Sequence, residues 1–310
     1  MPNEIHHNLE TDRLNYLYMK KAFGLLNGYV QKGGPLHFYQ RMQEELLKFD
    51  IDLEMKTNQE ILSWINAKGS IQTKELTPYS FCLYLDKDGY ISKMLELAGL
   101  RLFNSSESIY LCDDKMLTHI ALANHGISMP KTISAPLNYV SSFDEQFLFE
   151  VEKELSFPLI GKRNFGSLGK GVFLLKNHDE VVSFEKEHQA EPHLYQEFIS
   201  SSFGFDYRLI LIGGKFVAGM RRHNENGDFR SNIAQGGKGE KMEIPLPYIR
   251  LAEKAAQILK LDYCGVDLLK GKDRESILCE VNSNAFLKGI EEVTGINIAY
   301  LYAKYIVDSL

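Results

Sequence analysis

The stretch 263-YCGVDLLKGKDRESILCEVNSN-284 decides the fold of the carboxyl-terminal part of this chain. Two apolar runs flank a polar segment, which is the pattern of a β-hairpin. If the turn is centred between Asp273 and Arg274, Asp267 lies directly across from Glu280. Two carboxylates that face each other on a sheet repel, so the pattern predicts a positive charge between them.

The same register places Gly265 across from Asn282, and strand alternation puts Leu278, Glu280 and Asn282 on one face. Asp267, Glu280 and Asn282 then form a set of oxygen ligands with no His or Cys among them. Such a set is typical of a site for a hard cation, Mg²⁺ or Mn²⁺. The alternative is a solvated sheet face on which the carboxylates meet only water.

Length and composition place the chain among ordinary globular proteins. Its 310 residues suffice for two or three subdomains, and 44% of them are hydrophobic and 25% charged. No apolar run approaches the roughly 20 residues of a membrane span, and the amino terminus lacks a signal-peptide core. The net charge of −6 disfavours general binding to nucleic acid or anionic membranes. Four cysteines without C-x-x-C spacing indicate buried thiols in a reducing cytoplasm.

The order of predicted elements changes along the chain. The first third alternates strands and helices, which predicts a parallel, doubly wound α/β sheet. Its predicted strands are 21–30, 51–55, 80–85 and 100–103, and its predicted helices are 37–49 and 89–99. The later elements are a helix from Asp113, a helix at 144–155, a glycine-rich hairpin at 157–175, a helix near 179–188, strands at 194–199, 207–212 and 215–221, an amphipathic helix at 247–260 and a closing helix within 296–309. In this second pattern the glycine-rich segment forms a hairpin rather than a βαβ unit.

The segment 166-GSLGKG-171 joins two predicted strands. Glycines let backbone amides approach a phosphate closely, although glycine-rich hairpin turns are also common without a ligand. Lys162 lies on the strand just before it, where a buried lysine is costly unless it meets an anion, and phosphate is a natural partner. Lys115, near the start of a helix, fits either a phosphate contact or a solvated first turn.

Two further segments suit a nucleotide and its substrates. Backbone groups at the end of strand 194–199 suit an adenine edge, and Asp206 suits ribose hydroxyls; an edge strand leading into a loop is the alternative. The polar loop 221–241 carries three arginines: Arg221, Arg222 and Arg230. Arginine forks match carboxylates and phosphates, so the loop suits a site that closes over polyanions, with a solvated surface loop as the alternative.

Taken in order, these segments resemble the ATP-grasp superfamily, and within it the RimK-like carboxylate–amine ligases of the α-L-glutamate type. The matching pieces are DDKMLTHIAL (113–122), PLIGKRNFGSLGKGV (158–172), QEFI (196–199), GFDYR (204–208), RR (221–222), GDFRSN (227–232), GVDLL (265–269), EVNSN (280–284) and GIEEVTGINIA (289–299). The resemblance implies an ATP-grasp fold with two α+β subdomains, behind a Rossmann-like α/β amino-terminal domain. The expected domains are 1–112, a central ATP-grasp subdomain at 113–193 and a carboxyl-terminal subdomain at 194–310.

The resemblance also implies a site for ATP and two Mg²⁺ ions, with Mn²⁺ as the alternative metal. The implied nucleotide-binding residues are Lys115, Lys162, Gly166, Ser167, Gly169, Glu197, Phe198, Ile199, Asp206, Arg230, Ser231 and Asn232. The implied metal ligands are Asp267, Glu280 and Asn282, with Glu280 bridging the ions. Arg222 and Arg230 are the implied catalytic residues at the reacting centre.

The activity implied by the resemblance is ATP-dependent ligation of a carboxylate to an amine. In the family reaction a carboxylate attacks the γ-phosphate to give an acyl phosphate and ADP, and an amine then displaces orthophosphate. This chemistry needs positioning and charge stabilisation rather than a protein nucleophile. The alternative, of a different reaction class, is a small-molecule kinase that transfers the phosphate to a hydroxyl.

The expected partners are small-molecule or peptide carboxylates and amines, with an amino acid such as glutamate as the default. Many relatives follow the metal asparagine with a Ser-Pro-Gly turn, whereas this chain has 283-SNAF-286 at the substrate end of the site. Acceptor specificity therefore does not carry over with the other motifs. We expect a cytoplasmic enzyme with no nucleic-acid or membrane partner, and a homodimer or homotetramer stays open.

Overall fold

The computed structural model describes residues 19–29, 33–74, 76–140, 142–232, 236–273 and 275–310. Val30 of the first predicted strand and Arg274 of the predicted turn lie outside these ranges. The chain forms two compact units. The first unit holds the described residues up to Ser106 with Phe286–Lys288 and Asn297–Leu310, and the second holds Glu107–Ala285 and Gly289–Ile296. The three domains expected from the sequence stay a prediction.

The first unit contains a parallel sheet, as predicted. Its strands are β1 (Lys20–Leu26), β2 (Ile51–Thr57), β5 (Tyr79–Tyr84) and β6 (Arg101–Phe103), in the order β2-β1-β5-β6. A small antiparallel hairpin of β3 (Ser63–Ile65) and β4 (Ile71–Thr73), which the sequence pattern did not predict, completes the strands. The helices are α1 (Gly34–Leu47), α2 (Gly89–Leu97) and α9 (Ile298–Asp308). The central strand β1 is apolar on both faces, because a parallel sheet is covered by helices on both sides.

The second unit contains two antiparallel sheets, which confirms the α+β prediction. The first sheet has the order β7-β10-β8-β9. Its strands are β7 (Thr132–Ser134), β8 (Leu159–Arg163), β9 (Val172–Leu175) and β10 (His193–Glu197). Helices α5 (Glu145–Leu155) and α6 (His178–His188) supply Leu148, Val151 and Phe184 to the core beneath it. The turn between β8 and β9 is the glycine-rich segment, so the predicted hairpin is confirmed.

The second sheet of this unit has the order β13-β12-β11-β14-β15. Its strands are β11 (Phe205–Ile212), β12 (Lys215–His223), β13 (Lys238–Lys241), β14 (Tyr263–Lys270) and β15 (Ser276–Asn282). Helix α7 (Leu246–Ile258) buries Ala252, Ala255 and Ala256 against one face, as its amphipathic pattern predicts. The unit also holds most of α8 (Lys288–Thr294).

The helix expected from Asp113 begins at Lys115, and a helix that the sequence pattern did not predict precedes it. Helix α3 (Ser106–Asp113) ends where α4 (Lys115–Leu122) is about to begin. Asp114 caps α4, because its Oδ1 accepts hydrogen bonds from the backbone amides of Met116 at 2.8 Å and Leu117 at 3.1 Å. Lys115 is therefore the first residue of the helix, with its side chain at a helix amino terminus.

The hairpin of β14 and β15 has the predicted register at its carboxylate pair. Asp267 pairs with Glu280, and Gly265 pairs with Asn282. The agreement depends on two irregularities that cancel. The turn closes one residue earlier than predicted, with Lys270 paired to Ser276, and a β-bulge between the closing pairs and Asp267 restores the register.

The bulge makes one prediction wrong, because Leu278 does not share a face with Glu280. Leu278 pairs with Leu268, so Cys279 is the extra residue on β15. The insertion reverses the alternation, and Leu278 packs in the core with Val281, while Cys279 and Glu280 line the opposite, open face.

None of the helices that the structure describes combines the length and the apolar character needed to cross a membrane.

Candidate active site

A cleft in the second unit brings most of the predicted site residues together. Its volume is about 890 Å³ including its open mouth, within the range typical of small-molecule sites. The predicted residues that line it are Lys115, Lys162, Gly166, Ser167, Gly169, Glu197, Phe198, Ile199, Asp206, Arg222, Arg230, Ser231, Asn232, Asp267 and Glu280. Asn282 is the one predicted residue outside this lining.

The lining also contains residues that sequence reasoning missed. They are Ile160, Gly171, Val172, Gln196, Ser202, Phe205, Phe229, Leu269 and Cys279. Strand alternation gives a signal for Ile160, two residues before Lys162, and for Leu269, two residues after Asp267. No local signal exists for Cys279, because the bulge alone turns it toward the cleft.

Lys162 is a buried cation at the floor of the cleft. It lies in β8 between β9 and β10, and only 7% of the residue is exposed. Its Nζ lies 3.9 Å from Cys279 Sγ, and no carboxylate of the described residues forms an ion pair with it within 4.0 Å. A buried ammonium without a protein counter-charge is costly, so the cleft is built to receive an anion there.

The neighbouring His119 adds no second positive charge. Its burial, and then the nearby charge of Lys162, lower the pKa of His119 to about 4, so the imidazole is neutral at pH 7. The side-chain amide of Gln196 lies 3.2 Å from His119 Nε2. With the amide nitrogen as donor, Nε2 is the accepting nitrogen and Nδ1 carries the proton.

Lys115 joins helix α4 to the glycine-rich turn. Its Nζ donates to the backbone oxygen of Gly166 at 3.0 Å and of Asn164 at 3.3 Å, and lies 4.0 Å from Glu280 Oε1. The amide of Asn164 in turn donates to Asp114 Oδ1 at 3.0 Å. The lysine is thus placed by the helix cap and by the first residues of the turn.

Arg230, in the polar loop of 221–241, also contacts the glycine-rich turn. Arg230 Nη1 donates to the backbone oxygen of Gly169 at 3.1 Å, and its Nη2 donates to Asp228 Oδ2 at 2.8 Å. The hydrogen bond with Asp228 raises the pKa of Arg230. Gly169 has φ +73°, and a Cβ there would lie 2.9 Å from Asn232 Oδ1, so this close approach requires glycine.

A chain of alternating charges forms the wall made by β11, β12 and β14. Arg208 holds Asp267 with both arms of its fork, Nε to Oδ1 at 2.7 Å and Nη2 to Oδ2 at 2.6 Å. Arg222 holds Asp206 in the same way, with Nε to Oδ1 at 2.7 Å, and its Nη2 also lies 3.0 Å from Asp267 Oδ2. Although burial alone would raise it, the charges of Arg208 and Arg222 hold the pKa of Asp267 below its usual value.

The positive charge predicted beside the facing carboxylates is therefore supplied, in this structure, by protein side chains. Asp267 has two arginines, and Glu280 has the ammonium of Lys115 at 4.0 Å. Repulsion between the carboxylates consequently does not by itself require a metal. Arg222, expected to be catalytic, is 2% exposed, and its fork is occupied by Asp206.

Glu280 and Asn282 retain ligand capacity for a hard cation. The side chain of Glu280 is 27% exposed and opens into the cleft. Asn282 Nδ2 is buried without a hydrogen-bond partner in the described part of the chain. Rotation of the side-chain amide exchanges its nitrogen and its oxygen. The oxygen of Asn282 therefore fits the position of Nδ2, where it is available to a cation held by Glu280.

The residues after β10 form the apolar end of the cleft. The ring of Phe198 packs edge-on against Phe203 and Phe229, at centroid distances of 6.2 and 6.3 Å. The carboxylate of Glu197 accepts a hydrogen bond from the backbone amide of Lys131 at 3.2 Å. This end offers aromatic and aliphatic surface next to backbone polar groups, the combination that holds a planar base.

Two antiparallel sheets around a cleft with the buried Lys162 and the half-buried Lys115, a glycine-rich hairpin and a carboxylate hairpin define an ATP-grasp protein. A profile described as the RimK-like ATP-grasp domain matches residues 112–306, and the chain belongs to that family.

The chain is similar to proteins named as ligases or synthases. It is 30% identical to the beta-citrylglutamate synthase B of Danio rerio over 88% of this chain and 65% of that protein. It is 34% identical to the probable alpha-L-glutamate ligase of Maridesulfovibrio salexigens over 70% of each chain. The structure of the ATP-grasp ligase PsnB with its minimal precursor matches with a TM-score of 0.69 at 18% identity, covering 94% of this chain and 99% of that one, which supports the fold alone. The chain spans just under two thirds of the length of the Danio rerio synthase.

Proposed function

We propose that this protein is an ATP-dependent ligase that joins a carboxylate to an amine through an acyl phosphate. The observation that carries the proposal is Lys162, a buried ammonium that faces the cleft with Cys279, and no carboxylate of the described residues, beside it. A phosphate group supplies the missing negative charge. Membership of the RimK-like ATP-grasp family supports ATP as its source.

The lining suggests how the nucleotide is held. Lys115, Lys162 and the amides of the glycine-rich turn contact the phosphates, and the apolar end around Phe198 receives the adenine. Glu197 and Ile199 supply backbone groups beside the base. Asp206 is held by Arg222, so it reaches a ribose hydroxyl only as part of that ion pair.

The residues present fit a divalent cation, Mg²⁺ or Mn²⁺. Glu280 and Asn282 offer oxygens directly, and Asp267 offers a carboxylate that two arginines now hold. When bound, the metal supplies charge neutralisation at the phosphate oxygens. The binding of two ions, with Glu280 between them, stays a prediction.

The chain's own residues perform the remaining tasks. Arg230 holds the glycine-rich turn over the cleft through Gly169, which shields the reacting groups from water. Arg230 also lines the cleft, together with Ser231 and Asn232. Its guanidinium is therefore suited to stabilise negative charge on the transferring phosphate and the acyl oxygen. No side chain is required as a covalent nucleophile.

We further propose an amino acid as one substrate, with glutamate first to be tested, because the names of both curated relatives include glutamate. The other substrate is a small-molecule or peptide acid or amine. A cytoplasmic location fits the four free cysteines. A homodimer or homotetramer stays a prediction.

The test is release of ADP and free orthophosphate from Mg-ATP, with pools of amino acids, other acids and hydroxy compounds and mass spectrometry of products. We expect equal ADP and orthophosphate only when an acid and an amine are both present, and an adduct lighter than its parts by one water. Phosphate retained on a product would replace the ligase with a kinase.

Lys162→Met sharpens the test. We expect it to lower turnover by about 100-fold or more, because one buried cation at a transferring phosphate is worth several kcal/mol. The matched control is Lys153→Met, since Lys153 lies exposed on α5 and its one ion-pair partner among the described residues is the exposed Glu150. Equal activity in the two variants would remove Lys162 from the site.

A further inference from the structure

The carboxylate of Asp267 is nearly saturated by hydrogen bonds. Its two oxygens offer about four lone-pair sites, and Arg208 and Arg222 fill three of them. Both guanidinium groups lie within 3.0 Å of these oxygens. A divalent cation on the same carboxylate therefore competes with the two arginines, by position and by charge.

The two arginines are not equally able to yield. The side chain of Arg222 is 3% exposed, and its fork is also bound to Asp206. The side chain of Arg208 is 16% exposed, and Asp267 is its one carboxylate partner among the described residues. Arg208 is the residue that can leave.

The fork of Arg208 is already shaped for a carboxylate. Its two contacts with Asp267 are the bidentate arrangement in which guanidinium binds carboxylates most strongly. A Cβ at Gly265 would lie 3.8 Å from Arg208 Nε and 2.5 Å from Ala285 Cβ. The arginine therefore lies near Gly265 and the turn that follows the carboxylate hairpin.

We infer that Arg208 exchanges one carboxylate for another: it holds Asp267 until a divalent cation takes that side chain, and then binds the carboxylate of the acid substrate. The inference rests on the proposed ligase function for its second half. It makes Arg208 a substrate-positioning residue. It also makes cation binding a precondition for tight binding of the acid.

The first half is tested with Mn²⁺ alone, by the electron paramagnetic resonance signal of free Mn²⁺ titrated into the full-length protein. We expect Arg208→Gln to bind Mn²⁺ about tenfold more tightly than the wild type, the change that about 1.4 kcal/mol produces. Arg208→Lys keeps the charge but loses the fork, so we expect a gain of about threefold. Arg221→Gln, which removes a charge on β12 that pairs with Glu240 at 3.6 Å, should change nothing.

Three results would overturn the exchange. One is tighter Mn²⁺ binding in Arg208→Gln with no change in Arg208→Lys, because the loss of positive charge alone would explain that result. Another is equal tightening by Arg221→Gln. The third is unchanged, weaker or undetectable Mn²⁺ binding in Arg208→Gln. Because the Mn²⁺ titration needs no turnover, it tests the first half of the exchange even if the ligase assay fails.

The second half is tested by steady-state kinetics. With Arg208→Lys we expect the KM of the acid to rise about tenfold or more and the KM of ATP to change by less than about twofold, since only the acid loses its fork. Equal increases in both constants, or none, would remove Arg208 from the acid site. Failure of the wild type to form ADP and orthophosphate would instead refute the ligase function.

Discussion

Two hairpins face the same cleft and are stabilised in different ways. In the β14–β15 hairpin, Asp267 is 3% exposed and is held by arginines from neighbouring strands of its own sheet. In the β8–β9 hairpin, the turn relies on glycines at positive φ and on the contacts of Lys115 and Arg230 with its backbone oxygens. The comparison indicates that one wall of the site is fixed by buried charge, whereas the other is a cover with few constraints.

The largest expected effect comes from breaking the fixed wall. Asp267→Asn leaves the fork of Arg208 without a counter-charge and leaves Arg222 with Asp206 alone. We expect a loss of about 3–5 kcal/mol in the free energy of unfolding. The matched change is Asp228→Asn, in the loop that contacts the β8–β9 turn through Arg230. The side chains of Asp228 and Arg230 are about one quarter exposed. There we expect less than about 1 kcal/mol. Urea unfolding measures both, and similar losses would contradict the contrast.

A second prediction concerns the sheet behind the cover. His193 is 1% exposed, its Nε2 lies 2.9 Å from Glu185 Oε2, and its Nδ1 lies 2.8 Å from the backbone oxygen of Glu191. Burial opposes the charge, but the hydrogen bond with Glu185 raises the pKa of His193 above 6.5. Burial likewise opposes the charge of Glu185, but the hydrogen bonds from His193 and Tyr195 lower its pKa below 4.5.

The sign of the pH effect follows from these directions. The contribution of His193 is complete below 6.5, its unfolded pKa, and is lost as pH rises through the folded value. That of Glu185 is complete above 4.5 and is lost as pH falls through its folded value. We expect His193→Gln to cost about 1–3 kcal/mol more at pH 5.5 than at pH 8.5 in urea unfolding. A loss independent of pH would show that His193 acts by packing alone.

The smallest expected effect concerns the cover itself. Gly169→Ala places a side chain at φ +73° and 2.9 Å from Asn232 Oδ1, whereas Gly227→Ala meets nothing within 4 Å at φ +76°. We expect each to cost about 1 kcal/mol in unfolding, because the backbone strain is the same. Only Gly169→Ala should weaken ATP binding, by about threefold to tenfold in a calorimetric titration. Equal effects on ATP binding would mean that the turn and the Asn232 loop act independently.

Local pattern was sufficient for most of the fold. The alternation of strands and helices predicted the parallel sheet, two strands around glycines predicted the hairpin, and an amphipathic pattern predicted the alanine face of α7. Each of these signals depends on residues that are near neighbours in the sequence. The short strands β3, β4, β7 and β13 were missed, since none of their residues is buried and they therefore carry no apolar pattern. The bulge at Cys279 was also missed, because it is fixed by packing of Leu278 in the core rather than by its neighbours in sequence.

The sequence by itself determined that Asp267 and Glu280 lie on the two strands of one hairpin and that Lys162 lies beside a glycine-rich turn, because strand pairing over short distances follows from alternation and turn position. The exact pairing of Asp267 with Glu280 also needed the bulge at Cys279. Only the tertiary structure decided what surrounds those charges. Arg208 is 59 residues from Asp267 in the chain and reaches it through the pairing of β11 with β14. Because a Coulomb interaction depends on distance in space and on burial, the partners of a charge are set by the assembled sheet and not by the local sequence.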